Sequence, residues 1–190
     1  NHAITAGEVL RLPRRAAINY HDALLPRYAG FNATSWAILG GETVHGVTWH
    51  EMTEHVDGGR ILKQRAVEIA PDDTAFTLSA KCYEAAIQSF GELLFELTAD
   101  TVSPRDQDPA ERTYFTRQQR PADAGVIAWD RPAEAIDALV RGLTFGPEVN
   151  PLCTPKCLVG GELVIVTELT VLDSAAVSAP GTISRIDARG

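Results

Sequence analysis

The spacing of apolar residues predicts short alternating strands and helices near the start of the chain. A helix is expected over residues 4–12 and ends at Pro13, which has no amide hydrogen to extend the ladder. The apolar run 16–20 predicts a buried strand. A helix is also expected over residues 33–39, with Asn32 as its capping residue.

Two further strands are predicted at residues 43–52 and 61–69. The first is rich in Val, Thr and Trp, and it shows no helical period. The loop between them contains Asp57-Gly58-Gly59. If this loop is a simple hairpin, the two strands pair antiparallel.

The strongest periodic signal follows these strands. Residues 71–74, Pro-Asp-Asp-Thr, are a helix-start signal. The apolar residues behind them recur at intervals of three and four, which predicts a helix of about 20 residues or more with one buried face. The predicted buried residues are Leu78, Cys82, Ala85, Ala86, Phe90, Leu93, Leu94 and Leu97.

The pattern changes near residue 100. Residues 99–112 are polar and contain two prolines, which predicts a linker. A helix is expected near residues 132–143, and β-like runs occur at 163–172 and 182–186. The composition shift therefore predicts a domain boundary.

Charge and composition narrow the possible functions. The 190 residues include 17 basic and 25 acidic side chains, for a formal net charge of −8. An acidic chain is a poor general partner for nucleic acid or anionic lipid. No apolar run approaches the roughly 20 residues of a membrane span. The three cysteines cannot form a closed disulfide framework, so a cytoplasmic location is expected.

Three polar residues stand where predicted strands end. Asn19 and His21 alternate with Tyr20, so on an extended backbone they project to the same side. Asp57 follows a later strand, in a loop that contains glycine. Open α/β sheets place their sites at such strand ends. A histidine near an aspartate is also a common structural pair, so these residues alone leave both interpretations open.

The sequence around these residues resembles a known family. Residues 18–30, Ile-Asn-Tyr-His-Asp-Ala-Leu-Leu-Pro-Arg-Tyr-Ala-Gly, are similar to the signature of the formyltetrahydrofolate-dependent formyltransferases. The similarity continues through residues 46–52 and 57–62, and it covers about residues 2–98. The family includes methionyl-tRNA formyltransferase, aminoarabinose formyltransferase and formylation domains of peptide-synthetase assembly lines.

The resemblance implies an α/β chain with two regions. The first is the C-terminal part of a Rossmann-like formyltransferase domain whose N-terminal half is absent, and the second is a small β-rich domain of open-barrel type, expected to be truncated. The implied boundaries are 1–98 for the catalytic domain, 99–112 for the linker and 113–190 for the β-rich domain.

The resemblance also implies a reaction and its catalytic residues. Asn19, His21 and Asp57 fall on the family's catalytic triad. A formyl group would pass from 10-formyltetrahydrofolate to a primary amine through a tetrahedral intermediate. Asn19 and His21 would stabilise its negative oxygen, and Asp57 would orient His21. No metal is needed for this chemistry.

The family's folate site lies against two backbone segments and one wall of the signature. In this sequence the corresponding residues are His2, Ala3, Ile4, Leu24, Leu25, Pro26, Glu54, His55 and Val56.

The expected acceptor is a small molecule or an aminoacyl group bound to a carrier protein, within a larger multidomain protein. Methionyl-tRNA is a weaker alternative, because Ala29 stands where the tRNA and aminoarabinose enzymes usually carry arginine, and the chain is acidic. A further alternative is a non-catalytic remnant or docking module that cannot bind folate.

A metal site is not expected. His45, His50 and His55 are spaced by five, which matches neither the helical nor the strand period, so one surface would not collect all three. Packing within a strand explains His45 and His50 more simply. Cys153 and Cys157 lack the two further ligands of a structural zinc site.

Overall fold

The computed structural model describes residues 7–172 and 178–186. The predicted folate-site residues His2, Ala3 and Ile4 lie outside these described residues. Two short 3-10 helices occur at Pro109–Glu111 and Ala122–Gly125. In chain order the other elements are α1 (Gly7–Leu10), β1 (Ile18–His21), β2 (Ala29–Gly30), α2 (Ala33–Leu39), β3 (Val44–Glu51), β4 (Ile61–Glu68), α3 (Ala75–Ala99), β5 (Tyr114–Phe115), α4 (Ala133–Leu143), β6 (Lys156–Val159) and β7 (Glu162–Ile165).

In the described part of the chain, β1, β3 and β4 form a three-stranded sheet in the order β1-β3-β4. The predicted antiparallel hairpin is confirmed, because β3 and β4 pair in that sense. On its other edge β3 pairs antiparallel with β1, which places Asn19 opposite His50. The amide of Met52 also donates to the carbonyl of Ala17 at 2.8 Å. The start of β1 therefore lies beside the loop that joins β3 to β4.

The long predicted helix is confirmed as α3. Its first turn is a capping box, in which Thr74 and Thr77 each accept the other's backbone N–H, at 2.9 and 3.2 Å. No helix in the described ranges, α3 included, is long and apolar enough to cross a membrane. The buried residues of α3 are Ala75, Leu78, Cys82, Ala85, Ala86, Ser89 and Leu93.

Two residues of the predicted buried stripe are exposed. Phe90 and Leu94 have 38% and 47% of their surface accessible, so the prediction is wrong for them. They follow Ser89 and Leu93, and one residue is a rotation of about 100° on a helix. Ser89 and Leu93 belong to the buried face, so their successors turn toward its edge.

Helix α2 spans the predicted residues, but its predicted cap is wrong. Asn32 makes no side-chain hydrogen bond to the helix, and its backbone is left-handed with a φ of 58°. Asparagine enters this conformation more readily than most residues, which accounts for its position here. The helix packs against both α3 and α4.

The chain beyond residue 100 packs back onto the first region. Strand β5 pairs in parallel with β2. The ring of Phe115 stacks on Tyr28 and Trp36, with centroid distances of 5.6 and 4.6 Å. Further along, Asn150 donates to the hydroxyl of buried Ser35 at 3.0 Å. These contacts place residues of the second half beside the first helix-and-sheet layer.

The strand predictions near the end of the chain are wrong in part. Within the described residues, β7 ends at Ile165, and residues 182–186 form no strand. Strands β6 and β7 make a two-stranded hairpin, and several of its apolar side chains are exposed. The prediction fails for the other residues because a high strand propensity does not by itself supply a pairing partner. Helix α4 confirms the helix predicted near 132–143. The small β-rich domain is not shown, and the boundaries of the regions 1–98, 99–112 and 113–190 stay predictions.

Candidate active site

Strand β1 presents two polar side chains on one face. Asn19 and His21 alternate with Tyr20, as the extended backbone requires. The ring of Tyr20 packs against Trp49, at 5.5 Å between centroids, as part of the apolar core. Asn19 and His21 line one cavity. Strand β1 thus contributes Tyr20 to the core, and it contributes Asn19 and His21 to the candidate site.

Asp57 reaches the same cavity from the loop between β3 and β4. It is 8% exposed, and its backbone is left-handed with a φ of 49°. Its Oδ2 accepts the N–H of Gly30 at 2.8 Å and lies 3.5 Å from Nδ1 of His21. The structure therefore brings Asn19, His21 and Asp57 together, while their catalytic roles stay predictions.

The imidazole of His21 is held at both nitrogens. Nε2 carries a hydrogen and donates to the carbonyl of Tyr28 at 2.8 Å, because a carbonyl can only accept. Nδ1 faces two carboxylates, 3.5 Å from Asp57 and 3.9 Å from Asp22. In the imidazolium form Nδ1 also carries a hydrogen, which points toward these carboxylates. The ring orientation is therefore fixed by the two loops that flank it.

The surroundings of Asp57 favour its charged form. Burial alone would raise the pKa of Asp57, but the His50 hydrogen bond, the charge of His21 and the Gly30 N–H outweigh it. The pKa of Asp57 accordingly lies below its ordinary value. The loop thus holds a carboxylate beside His21 at neutral pH.

His50 belongs to this site, although the sequence assigned it only to strand packing. Its Nδ1 donates to the carbonyl of Glu51 at 2.8 Å. Its Nε2 lies 3.3 Å from Nδ2 of Asn19 and 3.5 Å from Oδ1 of Asp57. Because Nδ1 carries a hydrogen, Nε2 accepts an amide hydrogen of Asn19 when the ring is neutral and donates to Asp57 when the ring is charged. His50 therefore links two of the predicted catalytic residues, and only the β1–β3 register could have revealed it.

The cavity at these residues has a volume of about 360 Å³. Asp22 and Asp57 are acidic, and among the described residues no lysine or arginine lines it. Phe145 and Pro151 close it from the second half of the chain, a contribution that the sequence did not indicate. The full lining is Asn19, Tyr20, His21, Asp22, Gly30, Phe31, Asn32, Thr34, Ser35, Val56, Asp57, Ser79, Phe145 and Pro151.

A second cavity of about 630 Å³ lies beside the Asp57 loop. Four of the predicted folate-site residues line it together: Pro26, Glu54, His55 and Val56. Val56 also lines the smaller cavity, so the two cavities share one wall residue.

Two other predicted folate-site residues lie elsewhere. Leu24 and Leu25 line neither of these cavities. Leu25 is 3% exposed and packs with Ala29 and Ile61 in a small apolar cluster. Its amide donates to the hydroxyl of Thr48 at 3.1 Å. The proposed ligand contacts of Leu24 and Leu25 stay predictions.

Other reactive side chains play no visible part in this site. No group of three His, Cys, Asp or Glu residues in the described ranges could hold a metal ion. The Nε2–H of buried His45 donates to the carbonyl of Asp22 at 2.6 Å, and burial lowers the pKa of His45. Burial raises the pKa of Cys82 to about 12, which keeps this thiol protonated and unsuited to nucleophilic attack.

Comparison with known proteins identifies the class of this domain. Residues 3–94 match the model of the family described as formyl transferase. This stretch carries Asn19, His21 and Asp57, so the three predicted catalytic residues lie inside the matched residues. This match of residues 3–94 to the formyl transferase family confirms the resemblance read from the signature.

Solved structures of N-formyltransferases share the fold. The enzyme from Helicobacter canadensis, solved with folinic acid and dTDP-3-aminofucose, is 25% identical with a TM-score of 0.61, covering 66% of this chain and 46% of that one. A 4-N formyltransferase from Francisella tularensis is 21% identical with a TM-score of 0.68, covering 83% and 64%. WlaRD, a sugar 3N-formyl transferase solved with dTDP and 5-N-formyl-THF, is 20% identical with a TM-score of 0.62, covering 78% and 52%.

These likenesses confirm the predicted α/β fold of formyltransferase type. The matches cover between 46% and 64% of the length of the three structures. The activity, substrates and partners of a whole protein are therefore taken up below as proposals.

Proposed function

We propose that this chain provides the active site of an enzyme that transfers a formyl group from 10-formyltetrahydrofolate to a primary amine of a small molecule. One observation carries the proposal. Asn19, His21 and Asp57 meet at one cavity inside the stretch that matches the formyl transferase family. An amide donor, an imidazole and a buried carboxylate are the groups that such a transfer needs.

Asn19 is proposed to stabilise the oxygen that becomes negative when the amine attacks. Its amide nitrogen carries two hydrogens, and at most one of them is directed to Nε2 of His50, 3.3 Å away. The second hydrogen remains for the reacting oxygen. One such donor typically lowers a barrier by about 3 kcal/mol.

His21 is proposed to stabilise the same negative charge and to relay a proton to the leaving nitrogen. The carbonyl of Tyr28 and the carboxylate of Asp57 fix the ring, at 2.8 and 3.5 Å. Asp57 would orient the ring for this role.

The larger cavity is the proposed folate site. Its volume of about 630 Å³ lies within the roughly 300–1,000 Å³ of most small-molecule sites. When bound, 10-formyltetrahydrofolate supplies the formyl carbon and the leaving nitrogen. Val56 lines both cavities. A ligand in the larger cavity would therefore lie next to the smaller cavity, which Asn19, His21 and Asp57 line.

An amino sugar is the acceptor class that the smaller cavity favours. The hydroxyls of Thr34, Ser35 and Ser79 stand on its walls and suit a partner rich in hydroxyl groups. The acidic side chain of Asp22 attracts an amine. The Helicobacter canadensis enzyme was solved with dTDP-3-aminofucose, and WlaRD is described as a sugar formyltransferase. A carrier-bound acceptor and an assembly-line role gain no support from these structures and stay predictions.

The decisive experiment measures formyl transfer by the purified chain. We expect turnover with 10-formyltetrahydrofolate and a nucleotide-linked amino sugar, and much less with an aminoacyl carrier protein or methionyl-tRNA. Asp57→Asn should lose about a hundredfold or more in turnover, because His21 is no longer held beside a carboxylate. Exposed Asp130→Asn is the matched control and should keep full activity.

Calorimetric titration with a formyltetrahydrofolate analogue separates the alternatives. Binding by the folded chain is expected, and it distinguishes an enzyme from a docking module. A folded chain that neither binds folate nor transfers formyl groups would contradict the proposal. Full activity in Asp57→Asn would contradict the assigned role of Asp57.

A further inference from the structure

A polar segment outside the matched domain is tied to the candidate site by hydrogen bonds. We call residues 105–115 the strap. At its start Arg105 and Ile61 exchange backbone hydrogen bonds of 2.7 and 2.8 Å, which anchors the strap to the beginning of β4. The Arg105 guanidinium also donates to Gln64 at 2.6 Å. The strap then runs past both loops that flank His21.

On one side the strap holds the backbone of the Asp57 loop. The amide of Gln107 donates to the carbonyls of Asp57 and Gly59, at 2.8 and 2.7 Å. The guanidinium of Arg112 donates to the carbonyls of Val56 and Asp57, at 2.7 and 3.3 Å. Three carbonyls of this short loop therefore accept from two side chains of the strap.

The Asp57 loop needs such support because of its backbone conformation. Asp57 has a φ of 49°, a left-handed backbone that is unfavourable for a residue with a Cβ. The same residue aims its carboxylate at His21 and accepts the N–H of Gly30. Relaxation of the backbone at Asp57 would move that carboxylate directly.

On the other side the strap holds the loop that contacts His21. Thr113 accepts the N–H of Tyr28 at its hydroxyl, at 2.7 Å, and that of Ala29 at its carbonyl, at 3.0 Å. Tyr28 supplies the carbonyl that binds His21, and Gly30 supplies the amide that binds Asp57. One segment thus fixes the partners of both residues.

We propose that Gln107 and Arg112 are positioning residues of the active site, which hold the Asp57 loop where its carboxylate can orient His21. The inference rests on the proposed function for its catalytic meaning. Both side chains act on carbonyl groups of the loop and reach the chemistry only through Asp57. Their contribution is therefore geometric, and it is measurable at the partners of Asp57.

The test compares Gln107→Met with Gln119→Met. Both changes remove an amide and keep a long side chain. Gln119 is exposed, and its side-chain oxygen accepts the N–H of Thr116 within the same turn, so it is the matched control. The direct readout is the Gly30 amide, followed by NMR, because this amide donates to Asp57.

In Gln107→Met we expect the Gly30 amide proton to shift upfield and to exchange about tenfold faster, since its acceptor is less well held. Turnover should fall about tenfold with little change in the KM of the amine, because the loop is misplaced and acceptor binding is intact. Arg112→Lys, which keeps the charge but not the two-pronged contact, should give a smaller change in the same direction. Gln119→Met should match the wild type in both readouts.

The amide readout does not depend on turnover, so the two proposals can fail separately. A chain without formyl-transfer activity contradicts the proposed function, and a Gly30 amide that still responds in Gln107→Met and Arg112→Lys but not in Gln119→Met supports the positioning role. An unchanged Gly30 amide in both Gln107→Met and Arg112→Lys overturns the inference, as does an equal change in Gln119→Met.

Discussion

The sheet and the strap both border the candidate site, but different forces hold them in place. Strands β1 and β3 are fixed by apolar burial, with fully buried Val47 and the contact between Tyr20 and Trp49. The strap exposes most of its side chains and attaches through hydrogen bonds to the backbone of its neighbours. The sheet is held mainly by the burial of apolar surface, and the strap is held mainly by hydrogen bonds.

This contrast separates stability from geometry. Burial of an apolar side chain contributes about 1.5–3 kcal/mol without fixing a direction. A typical hydrogen bond contributes a net 0.5–1.5 kcal/mol, but it fixes distance and angle. Gln107 and Arg112 should therefore influence the placement of Asp57 more than the stability of the fold. The following substitutions test whether apolar burial determines stability and hydrogen bonds determine geometry in these two regions.

The largest effect on stability is expected where the two regions meet, at Gly30. Its φ is +95°, and a Cβ built there would lie 2.2 Å from the carbonyl oxygen of Phe115. Gly30→Ala should reduce the free energy of unfolding by about 3 kcal/mol or more, because backbone strain and a clash with the strap combine. Chemical denaturation measures this loss.

Gly41→Ala is the control for strain alone. Gly41 has a φ of +70°, but a Cβ there would meet nothing within 4 Å. We expect a loss of about 1 kcal/mol, the cost of the left-handed backbone by itself. If Gly30→Ala and Gly41→Ala lost equal amounts of unfolding free energy, the strap would have moved away from the added Cβ at little cost. That result would contradict its role as a fixed support.

A smaller effect, dependent on pH, is expected at two buried carboxylates. The pKa of Asp57 is lowered as described above. At the start of α3, burial would raise the pKa of Asp73, but its bonds from Lys81 and the Ala70 amide, at 2.5 and 2.7 Å, lower it. A carboxyl group whose pKa is lower in the folded chain than in the unfolded chain stabilises the fold at pH values above its unfolded pKa of about 3.9. This contribution disappears as the pH falls through the folded pKa.

Asp57→Asn and Asp73→Asn should therefore each lower the free energy of unfolding near neutral pH, by about 2 kcal/mol, and the difference from the wild type should narrow as pH falls below about 3.9. Denaturation curves across this range provide the measurement. Exposed Asp130→Asn should track the wild type throughout. A difference that stays constant with pH would show that these carboxylates stabilise the fold without titrating as described.

The sequence predicted the regular elements better than it predicted their pairing. Apolar periodicity located α3, and residue type located β3 and β4, because both signals are local. The antiparallel register of β1 and β3, which sets His50 beside Asn19, depends on contacts far apart in sequence. Asn19, His21 and Asp57 were found through the signature, whereas His50 required the fold.

The strap was missed for a related reason. Residues 99–112 show no apolar period, so they were interpreted as a linker. Backbone hydrogen bonds leave no pattern of residue types, and Gln107 resembles any exposed glutamine until its two carbonyl partners are placed. Segments held in this way are the ones that hydrophobic patterns cannot detect.

The smallest expected effect concerns an apolar anchor of the strap. Phe115 stacks between Tyr28 and Trp36. Phe115→Leu keeps an apolar side chain but loses the stacking, so the free energy of unfolding should fall by about 1 kcal/mol. Phe95→Leu, at a phenylalanine that is 74% exposed, is the control and should change little. If the hydrogen bonds set the geometry, the Gly30 amide should keep its shift and exchange rate in Phe115→Leu. If the Gly30 amide changed as much in Phe115→Leu as in Gln107→Met, apolar packing would also position the strap. The distinction between hydrogen bonds that set geometry and apolar contacts that set stability would then fail.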